Sequence, residues 1–375
     1  MTNLVPDELL YQVALSKIEG VGPINCRSIV AYLGSAKEAL TTSKPKLEKV
    51  PGIGTILSYK LVDQRKKVIE QAEKTLETCV NQGIDIIPIQ SNFYPYRLRE
   101  IPDAPLVIYN RGNTHAQAAK AVAIVGTRNI TSYGKSVCES IVSKLAASGV
   151  VIISGLAYGV DTVVHRNCLS NDIATIGVMA NGLDRVYPGQ NRDLALKMLE
   201  KGGVLSEHEP GVKPEAPHFP RRNRIIAGMA DATIVIEASE KGGALITCRM
   251  ALEYNREVFA VPGPINAEYS YGCNQIIAKS GAQLFLNVDS FLEEMGWGTS
   301  QPGAGGKAKK TFAIPDDLNE VESTIVNLLV KEDMMVDEIS YKGNIPVSAL
   351  AVHLLNLELR GIIKNIPGKK FSVST

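Results

Sequence analysis

The middle of the chain contains the sequence Val122-Ala-Ile-Val-Gly-Thr-Arg128, a short apolar run that ends in glycine, threonine and arginine. Similar apolar runs follow it at 150–153, 174–178, 203–205, 232–236 and 258–261. Helical stretches, such as 133–148 and 246–254, lie between these runs. Continuous apolar strands that alternate with helices are typical of a parallel sheet covered on both faces. The sequence therefore predicts an α/β fold with a doubly wound parallel sheet.

Glycines and polar residues cluster where these predicted strands end. Ligands of doubly wound sheets bind beyond the carboxyl ends of the strands, where glycine lets the backbone approach an anion. Three segments have this character and are predicted to bind phosphate through Gly126, Thr127, Arg128, Ser154, Gly155, Lys241, Gly242, Gly243 and Thr247. They do not form a Walker A loop or a GxGxxG fingerprint. The sequence therefore predicts no ATP, NAD or other cofactor.

The most informative cluster is Phe219-Pro-Arg-Arg-Asn-Arg224. Arg221, Arg222 and Arg224 supply phosphate contacts, Asn223 suits the edge of a base, and Phe219 suits stacking on a base. The alternative interpretation is a solvated basic turn. Because glycine loops are predicted at neighbouring strand ends, we favour phosphate binding.

Two further groups in the middle region resemble sites for chemistry. Asp161 and His165 are one helical turn apart, but no third ligand with suitable spacing is evident, so a hydrogen bond is favoured over a metal site. Glu207-His208-Glu209 is the best candidate for acid/base chemistry, but no nucleophile accompanies it. A surface loop is the favoured interpretation, and no catalytic residue is predicted.

The two ends of the chain predict separate helical domains. Gly20-Val-Gly22 and Gly52-Ile-Gly54 each lie between helical stretches and resemble a pair of helix-hairpin-helix units. Contact with DNA phosphates and a purely structural role are both open for this pair. The tail predicts three helices and a β-hairpin, which is the order of a winged helix, and both DNA and protein are open as its partner. The predicted domains are 1–82 (helix-hairpin-helix or SAM-like), 83–297 (the sheet), 298–313 (a flexible linker) and 314–375 (the winged helix).

The charge of the chain is almost balanced, with 40 basic against 39 acidic residues and a net charge of +1. The 45% of hydrophobic residues excludes a disordered polyelectrolyte. The balance conceals a basic linker, an acidic tail and three arginines within 221–224. We therefore expect a narrow contact with one nucleic-acid strand, because a broad duplex-binding face needs a basic excess. The scattered cysteines, and the lack of a signal sequence or membrane-length apolar run, predict a reduced cytoplasmic protein that does not contact a membrane.

Many ordered pieces of the chain resemble the DNA processing protein A (DprA) family, also called Smf. They are Tyr94-Pro95, Pro105-Leu-Val-Ile-Tyr109, Gly126-Thr-Arg128, Ser154-Gly-Leu-Ala-Tyr-Gly-Val-Asp161, Gly182-Leu-Asp184, Phe219-Pro-Arg-Arg-Asn-Arg-Ile-Ile-Ala-Gly228, Val258-Phe-Ala-Val-Pro-Gly263 and Gly272-Cys-Asn274. The resemblance implies an extended Rossmann domain that binds single-stranded DNA and forms a homodimer. It also implies loading of the RecA recombinase and protection of incoming DNA in natural transformation. The chain departs from the family at 242–247, where two hydroxyl side chains are replaced.

Two other functions are open alternatives. The LOG phosphoribohydrolases also have a Rossmann domain, and their motif resembles Pro-Gly-Gly-x-Gly-Thr-x-x-Glu. This chain lacks the third glycine and has Met250 where the glutamate belongs, which argues against that enzyme. A purely architectural recombination scaffold differs in predicting no DNA affinity for the isolated 84–295 fragment. The favoured function is that of a non-catalytic DNA-binding protein.

Overall fold

The computed structural model describes residues 7–114, 119–298, 318–330, 333–343, 345–366 and 370–373. The chain divides into two compact units, of which one extends to Leu286 and the other begins at Asn287. The predicted linker lies outside the described residues, apart from Gly298. The predicted boundary between residues 82 and 83 falls inside the first unit and stays a prediction.

The first unit begins with helices, which are α1 (Asp7–Ser16), α2 (Pro23–Leu33), α3 (Ala36–Thr41), α4 (Lys44–Leu47) and α5 (Thr55–Gln82). Each Gly-x-Gly segment lies in a turn between two of them. Gly20 and Gly52 have φ angles of 85° and 84°, a conformation that glycine adopts without steric cost. A Cβ added to Gly20 would lie 3.7 Å from Leu57, and one added to Gly52 would lie 3.4 Å from Asn25. The two hairpins therefore pack against each other.

A nine-stranded sheet forms the centre of the first unit. Its strands are β1 (Asp85–Pro88), β2 (Val107–Gly112), β3 (Ala121–Val125), β4 (Val151–Ser154), β5 (Thr175–Met179), β6 (Gly203–Ser206), β7 (Ala232–Val235), β8 (Glu257–Ala260) and β9 (Gln283–Leu284). Their order is β1-β2-β6-β5-β4-β3-β7-β8-β9, with β3 to β9 parallel. The prediction of a mostly parallel sheet is confirmed. The sequence analysis missed the antiparallel strands β1 and β2, because each contains only a short apolar run (86–87 and 107–109) and the alternation of strands and helices becomes regular only after them.

The order of the strands reverses at β3. The chain moves outward from β3 through β4, β5 and β6, and then returns to place β7 on the opposite side of β3. The connecting helices are α6 (Tyr96–Glu100), α7 (Ser132–Leu145), α8 (Val160–Ser170), α9 (Arg192–Met198), α10 (His218–Gly228), α11 (Gly243–Glu253) and α12 (Glu268–Ala278). Because the loops after β3 and β7 diverge, a crevice opens at this reversal. That crevice holds the site described below.

The second unit contains the predicted winged helix. Its elements are α13 (Val288–Glu294), α14 (Glu320–Leu329), β10 (Met334–Met335), α15 (Val336–Gly343), α16 (Val347–Leu359), β11 (Ile363–Ile366) and β12 (Lys370–Val373). A capping box starts α14, since the Asn319 side chain accepts from the Glu322 amide and Glu322 accepts from the Asn319 amide. The strands form a small antiparallel sheet in the order β10-β12-β11. Ile325, Leu350 and Phe371 lie in its apolar core.

The six cysteines are free and buried. Within the described ranges, no helix combines the length and apolar character that a bilayer span needs. The predicted cytoplasmic location stays a prediction.

A neutral histidine is buried in the interior of the first unit. His165 on α8 is fully buried, and its Nδ1 lies 2.7 Å from the Thr175 hydroxyl on β5. Its Nε2 has no hydrogen-bond partner among the described residues. Burial, helped by the positive charge of Arg222, lowers the pKa of His165 to about 3. The histidine therefore titrates almost only in the unfolded chain.

We expect His165 to make the protein less stable in mild acid. The unfolded histidine, with a pKa of about 6.5, binds a proton as the pH falls below 7, whereas the folded one does not. Between pH 7 and pH 5 this difference costs about 2 kcal/mol of unfolding free energy. Urea denaturation at both pH values should show that His165→Gln removes this part of the pH dependence. Equal pH dependence in both proteins would contradict the assignment.

Candidate nucleic-acid interface

The loop after β3 forms one wall of the crevice. A Cβ on Gly126 would lie 2.5 Å from the Val160 side chain, so the loop approaches α8 as closely as glycine permits. The Thr127 amide donates to the Glu237 carbonyl at 2.8 Å, and the Val160 amide donates to the Thr127 carbonyl at 3.1 Å. The Glu237 carboxylate in turn accepts from the Thr131 amide at 2.9 Å. These bonds hold the loop rigidly at the strand reversal.

A buried arginine connects the neighbouring strand ends. The Arg222 guanidinium donates from Nη1 to the carbonyl oxygens of Gly155, after β4, and of Val178, on β5. Burial lowers the pKa of Arg222 to about 10, and the negative charge of Asp161 opposes that shift. Burial also raises the pKa of the Asp161 carboxyl, and Arg222 opposes it. Arg222 therefore keeps its positive charge at pH 7 within the wall of the crevice.

The arginine cluster lies on helix α10, where helical spacing divides it between two faces. Phe219, Arg222 and Asn223 are three and four residues apart and share the face toward the crevice. Arg221 and Arg224 are three residues apart and share another face. The sequence analysis considered this segment as one cluster or a turn. In the structure, only part of it faces the crevice.

An exposed arginine and two aromatic rings line the crevice mouth. The guanidinium of Arg128 lies over the Phe219 ring, 5.2 Å from its centre. The Phe219 and Tyr187 rings are 5.8 Å apart and tilted by 56°. No ion pair of Arg128 occurs within the described part of the chain, so its charge faces solvent and Phe219. This arrangement offers a cation and stacking surfaces side by side.

The start of α11 faces the same space. Gly242 precedes the helix with an extended backbone and without a side-chain cap. The amides of Gly243 and Ala244 have no acceptor among the residues that the structure describes. The Asn223 side chain reaches the Gly243 carbonyl at 3.5 Å. The open amides make this wall suitable for an anion.

Together these walls enclose a cavity of about 630 Å³. The predicted site residues that line it are Gly126, Thr127, Arg128, Phe219, Arg222, Asn223, Gly242, Gly243 and Thr247. We call this space the switch-point pocket. Gly155 lies in a small adjoining recess with Arg128 and Arg222.

Four predicted site residues lie elsewhere. Ser154 is fully buried, and its hydroxyl donates to the Ile124 carbonyl at 2.6 Å. Lys241 lines a separate cavity of about 510 Å³ beside Tyr271. The structure brings neither side chain to the switch-point pocket, so a DNA contact for them stays a prediction.

Arg221 and Arg224 line a neighbouring groove. The Arg224 guanidinium is buried, contacts the Glu207 carboxylate and donates to the Asp103 carbonyl at 2.8 Å. Arg221 is exposed. Arg224 is therefore engaged within the protein, and a DNA contact for either residue stays a prediction.

The Glu207-His208-Glu209 segment connects the sheet to the helical N-terminus. Glu209 contacts Lys17, the residue after α1, and the Thr75 hydroxyl on α5 donates to it at 2.5 Å. His208 stacks on His218 with ring centres 4.3 Å apart. Within the described ranges, no group of three or more His, Cys, Asp or Glu side chains has the arrangement of a metal site.

The pocket also contains residues that the sequence analysis did not assign to it. Tyr187 forms part of its aromatic wall, and Asp161 lies beside Arg222. Glu237 positions the β3 loop from behind. Glu237 follows the predicted strand 232–236, and Asp161 starts a predicted helix, so the sequence places both near the ends of strands. Nothing in the sequence places Tyr187 next to Phe219.

Two profiles of known protein families match this chain. A family profile described as DNA recombination-mediator protein A matches residues 85–296, which span the sheet and the pocket. A second profile, the DprA winged helix domain, matches residues 309–369. The chain belongs to the DprA/Smf family.

Curated DprA/Smf proteins match along most of the chain. The protein Smf of Synechocystis is 32% identical over 97% of this chain and 98% of its own length. The DNA processing protein DprA of Bacillus subtilis is 38% identical over 72% of this chain and 90% of its own length.

Two solved DprA structures are similar in fold. DprA of Streptococcus pneumoniae is 32% identical, covers 76% of this chain and 97% of its own, and has a TM-score of 0.66. DprA of Helicobacter pylori is 30% identical, covers 56% of this chain and 94% of its own, and has a TM-score of 0.51. The latter is described as binding single-stranded DNA in a distinctive mode.

We expect Gly155→Ala to destabilise this DprA-type pocket. The added Cβ would lie 2.6 Å from Arg222 Nη1 and 2.6 Å from Asp161 Oδ2, so the buried guanidinium must move. The cost should be about 1–3 kcal/mol of unfolding free energy in urea denaturation.

The matched control is Gly243→Ala at the start of α11. A Cβ there would meet no atom within 4 Å, and the backbone has no positive φ. It should leave stability unchanged or raise it by up to about 1 kcal/mol. Equal effects of the two substitutions would show that Arg222 does not need the space at Gly155.

Proposed function

We propose that this protein binds single-stranded DNA in the switch-point pocket and acts in DNA processing during natural transformation and recombination. The observation that carries the proposal is the pairing of an exposed, uncommitted Arg128 with Phe219 at the mouth of a glycine-lined pocket. Membership of the DprA/Smf family supports it. So does the relative from Helicobacter pylori, which is described as binding single-stranded DNA.

The pocket supplies complementary contacts for one strand. Arg128 neutralises a backbone phosphate, and the buried charge of Arg222 adds to the positive potential. The open amides of Gly243 and Ala244 donate to a phosphate oxygen. Phe219 stacks on a base, which is a contact that any base can make. A strand is therefore held without reading its sequence.

We also propose a homodimer formed through the sheet edge at β9. Both residues of this edge strand are exposed, and Leu286, two residues after the strand, is 69% exposed. An exposed sheet edge with the exposed apolar side chains of Leu284 and Leu286 is a surface that a second copy can cover by symmetric pairing. RecA is the proposed recipient of the bound strand, and the family resemblance supports this partner.

The proposed role is non-catalytic. The position at which a phosphoribohydrolase would need a glutamate is Met250 on α11. Met250 lines the neighbouring groove rather than the pocket. The geometry thus favours binding over glycosidic cleavage.

We expect Arg128→Ala and Phe219→Ala to weaken binding of oligothymidylate. Loss of one phosphate contact should weaken binding about tenfold at low salt and reduce the salt slope by about 0.7. Loss of stacking should cost about 1–3 kcal/mol without changing the slope. Fluorescence anisotropy over a salt series measures both quantities.

Arg166→Ala is the control for this experiment, because Arg166 is exposed on α8 and lies outside the pocket. It should bind like the unmodified protein. If Arg128→Ala and Phe219→Ala also bind like the unmodified protein, the pocket is not the DNA site.

We expect Leu286→Glu to convert a dimer into a monomer, since it places a charge on the proposed apolar interface. Light scattering measures the mass, and a monomeric unmodified protein would contradict the proposed dimer.

The proposed transfer of the strand to RecA is tested by measuring RecA assembly on oligonucleotides coated with single-strand-binding protein. The unmodified protein should accelerate this assembly, and an unchanged rate would contradict RecA loading.

A further inference from the structure

A second groove adjoins the switch-point pocket. Its volume is about 860 Å³, and Pro220 on α10 forms part of the wall of both spaces. The opposite wall of the groove is the first glycine hairpin, residues 20–26. We call this space the hairpin groove. A strand that leaves the pocket over Pro220 enters the hairpin groove directly.

The α10 wall of the hairpin groove carries one uncommitted positive charge. Arg224 is engaged by Glu207 and Asp103, and it compensates both carboxylates. Arg221 lies one helical turn away and is exposed. Among the described residues it makes no salt bridge or hydrogen bond, although its charge acts on the Glu207 carboxyl, whose pKa burial raises, and opposes that rise. Arg221 is therefore available to a phosphate in this groove.

The hairpin wall presents unused hydrogen-bond donors. Helix α2 begins after Gly22, whose backbone is extended and which provides no side-chain cap. The amides of Gly22, Ile24 and Asn25 have no acceptor within the described part of the chain. Such amides satisfy their hydrogen bonds with water or with an anion. The groove thus has open amides on one wall and Arg221 on the other, and both are suited to bind an anion.

The floor of the groove contains buried polar atoms without partners. Glu207 Oε1 and His208 Nε2 are inaccessible to solvent and lack a hydrogen bond among the described residues. Burial raises the pKa of the Glu207 carboxyl and lowers the pKa of His208 to about 4. The imidazole is therefore neutral at pH 7, and burial disfavours the charged carboxylate. The floor therefore supplies no free positive charge, so an anion in the groove depends on Arg221 and on the open amides.

The second hairpin provides a natural comparison. Gly54, Ile56 and Leu57 have equally open amides at the start of α5. They line neither the pocket nor the hairpin groove. Of the two similar turns, only the first is placed to meet a strand that leaves the pocket.

We propose that the hairpin groove binds the sugar–phosphate backbone of the same single strand that occupies the switch-point pocket. This inference rests on the proposed function. One phosphate lies between Arg221 and the amides of Gly22, Ile24 and Asn25. The first hairpin thereby lengthens the bound segment of DNA, and the second hairpin makes no contact with that strand.

The test is a pair of matched aspartates, Gly22→Asp and Gly54→Asp. Both glycines have extended backbones (φ −78° and −81°), and a Cβ at either would meet no atom within 4 Å. Aspartate is a favourable residue before a helix, and its carboxylate accepts from the amides that follow. Neither variant should therefore lower the melting temperature. In Gly22→Asp, however, the carboxylate occupies the proposed phosphate site, so only this variant should weaken DNA binding.

Binding is measured with oligothymidylates of about six and about twenty nucleotides, which bracket common single-strand site sizes. Gly22→Asp should weaken binding of the longer probe about tenfold and leave the shorter probe unaffected, and Gly54→Asp should affect neither. Arg221→Ala should also weaken only the longer probe and reduce its salt slope by about 0.7.

Two outcomes would overturn the inference. One is that Gly22→Asp binds the longer probe as the unmodified protein does. The other is that both aspartates weaken it equally, which would assign no special role to the first hairpin. If the switch-point pocket itself is not the DNA site, the result is different, because Arg128→Ala then binds the shorter probe as the unmodified protein does.

Discussion

The buried guanidinium of Arg222 connects three parts of the fold at the place where the sheet reverses its order. It donates to carbonyl oxygens at the ends of β4 and β5, and it projects from α10. A buried cation is costly unless acceptors and a compensating charge surround it, and here carbonyl dipoles and Asp161 provide both. Because the guanidinium has one satisfactory place, the rotation of α10 about its axis is determined. The face that α10 turns toward the crevice follows from that rotation.

The rotation of α10 separates two kinds of surface along a single helix. Phe219 and Asn223 turn toward the glycine loops, together with Arg222 itself. Arg221 and Arg224 turn toward the first hairpin. Pro220 lies between the two surfaces and touches both cavities. The two cavities therefore adjoin across α10, as the proposed binding of one flexible strand in both requires.

Much of this site could be predicted from local sequence. The glycines after β3 and before α11, the exposed Arg128 and the stacking residue Phe219 were all expected to share one edge of the sheet, and they do. The reason is that parallel strands bring their carboxyl ends to one edge, so a pattern of apolar runs also predicts which loops meet. Ser154 and Lys241 were expected there too, because their neighbours in sequence belong to the pocket. The direction of a side chain depends on its surroundings in space: the buried Ser154 hydroxyl donates to the Ile124 carbonyl, and the exposed Lys241 lines another cavity.

The amino-acid sequence by itself determined the α/β class, the positions of the apolar runs that form the parallel strands, the two glycine turns and the winged-helix tail. These features depend on periodicity and on the backbone freedom of glycine, which are local properties. Only the tertiary structure decided that three arginines within four positions have three different environments. Arg222 is buried against carbonyls, Arg224 is paired with carboxylates, and Arg221 is exposed beside a hairpin some two hundred residues earlier in the chain. Burial and charge pairing arise from residues distant in sequence, so the role of an arginine is set by its neighbours in space.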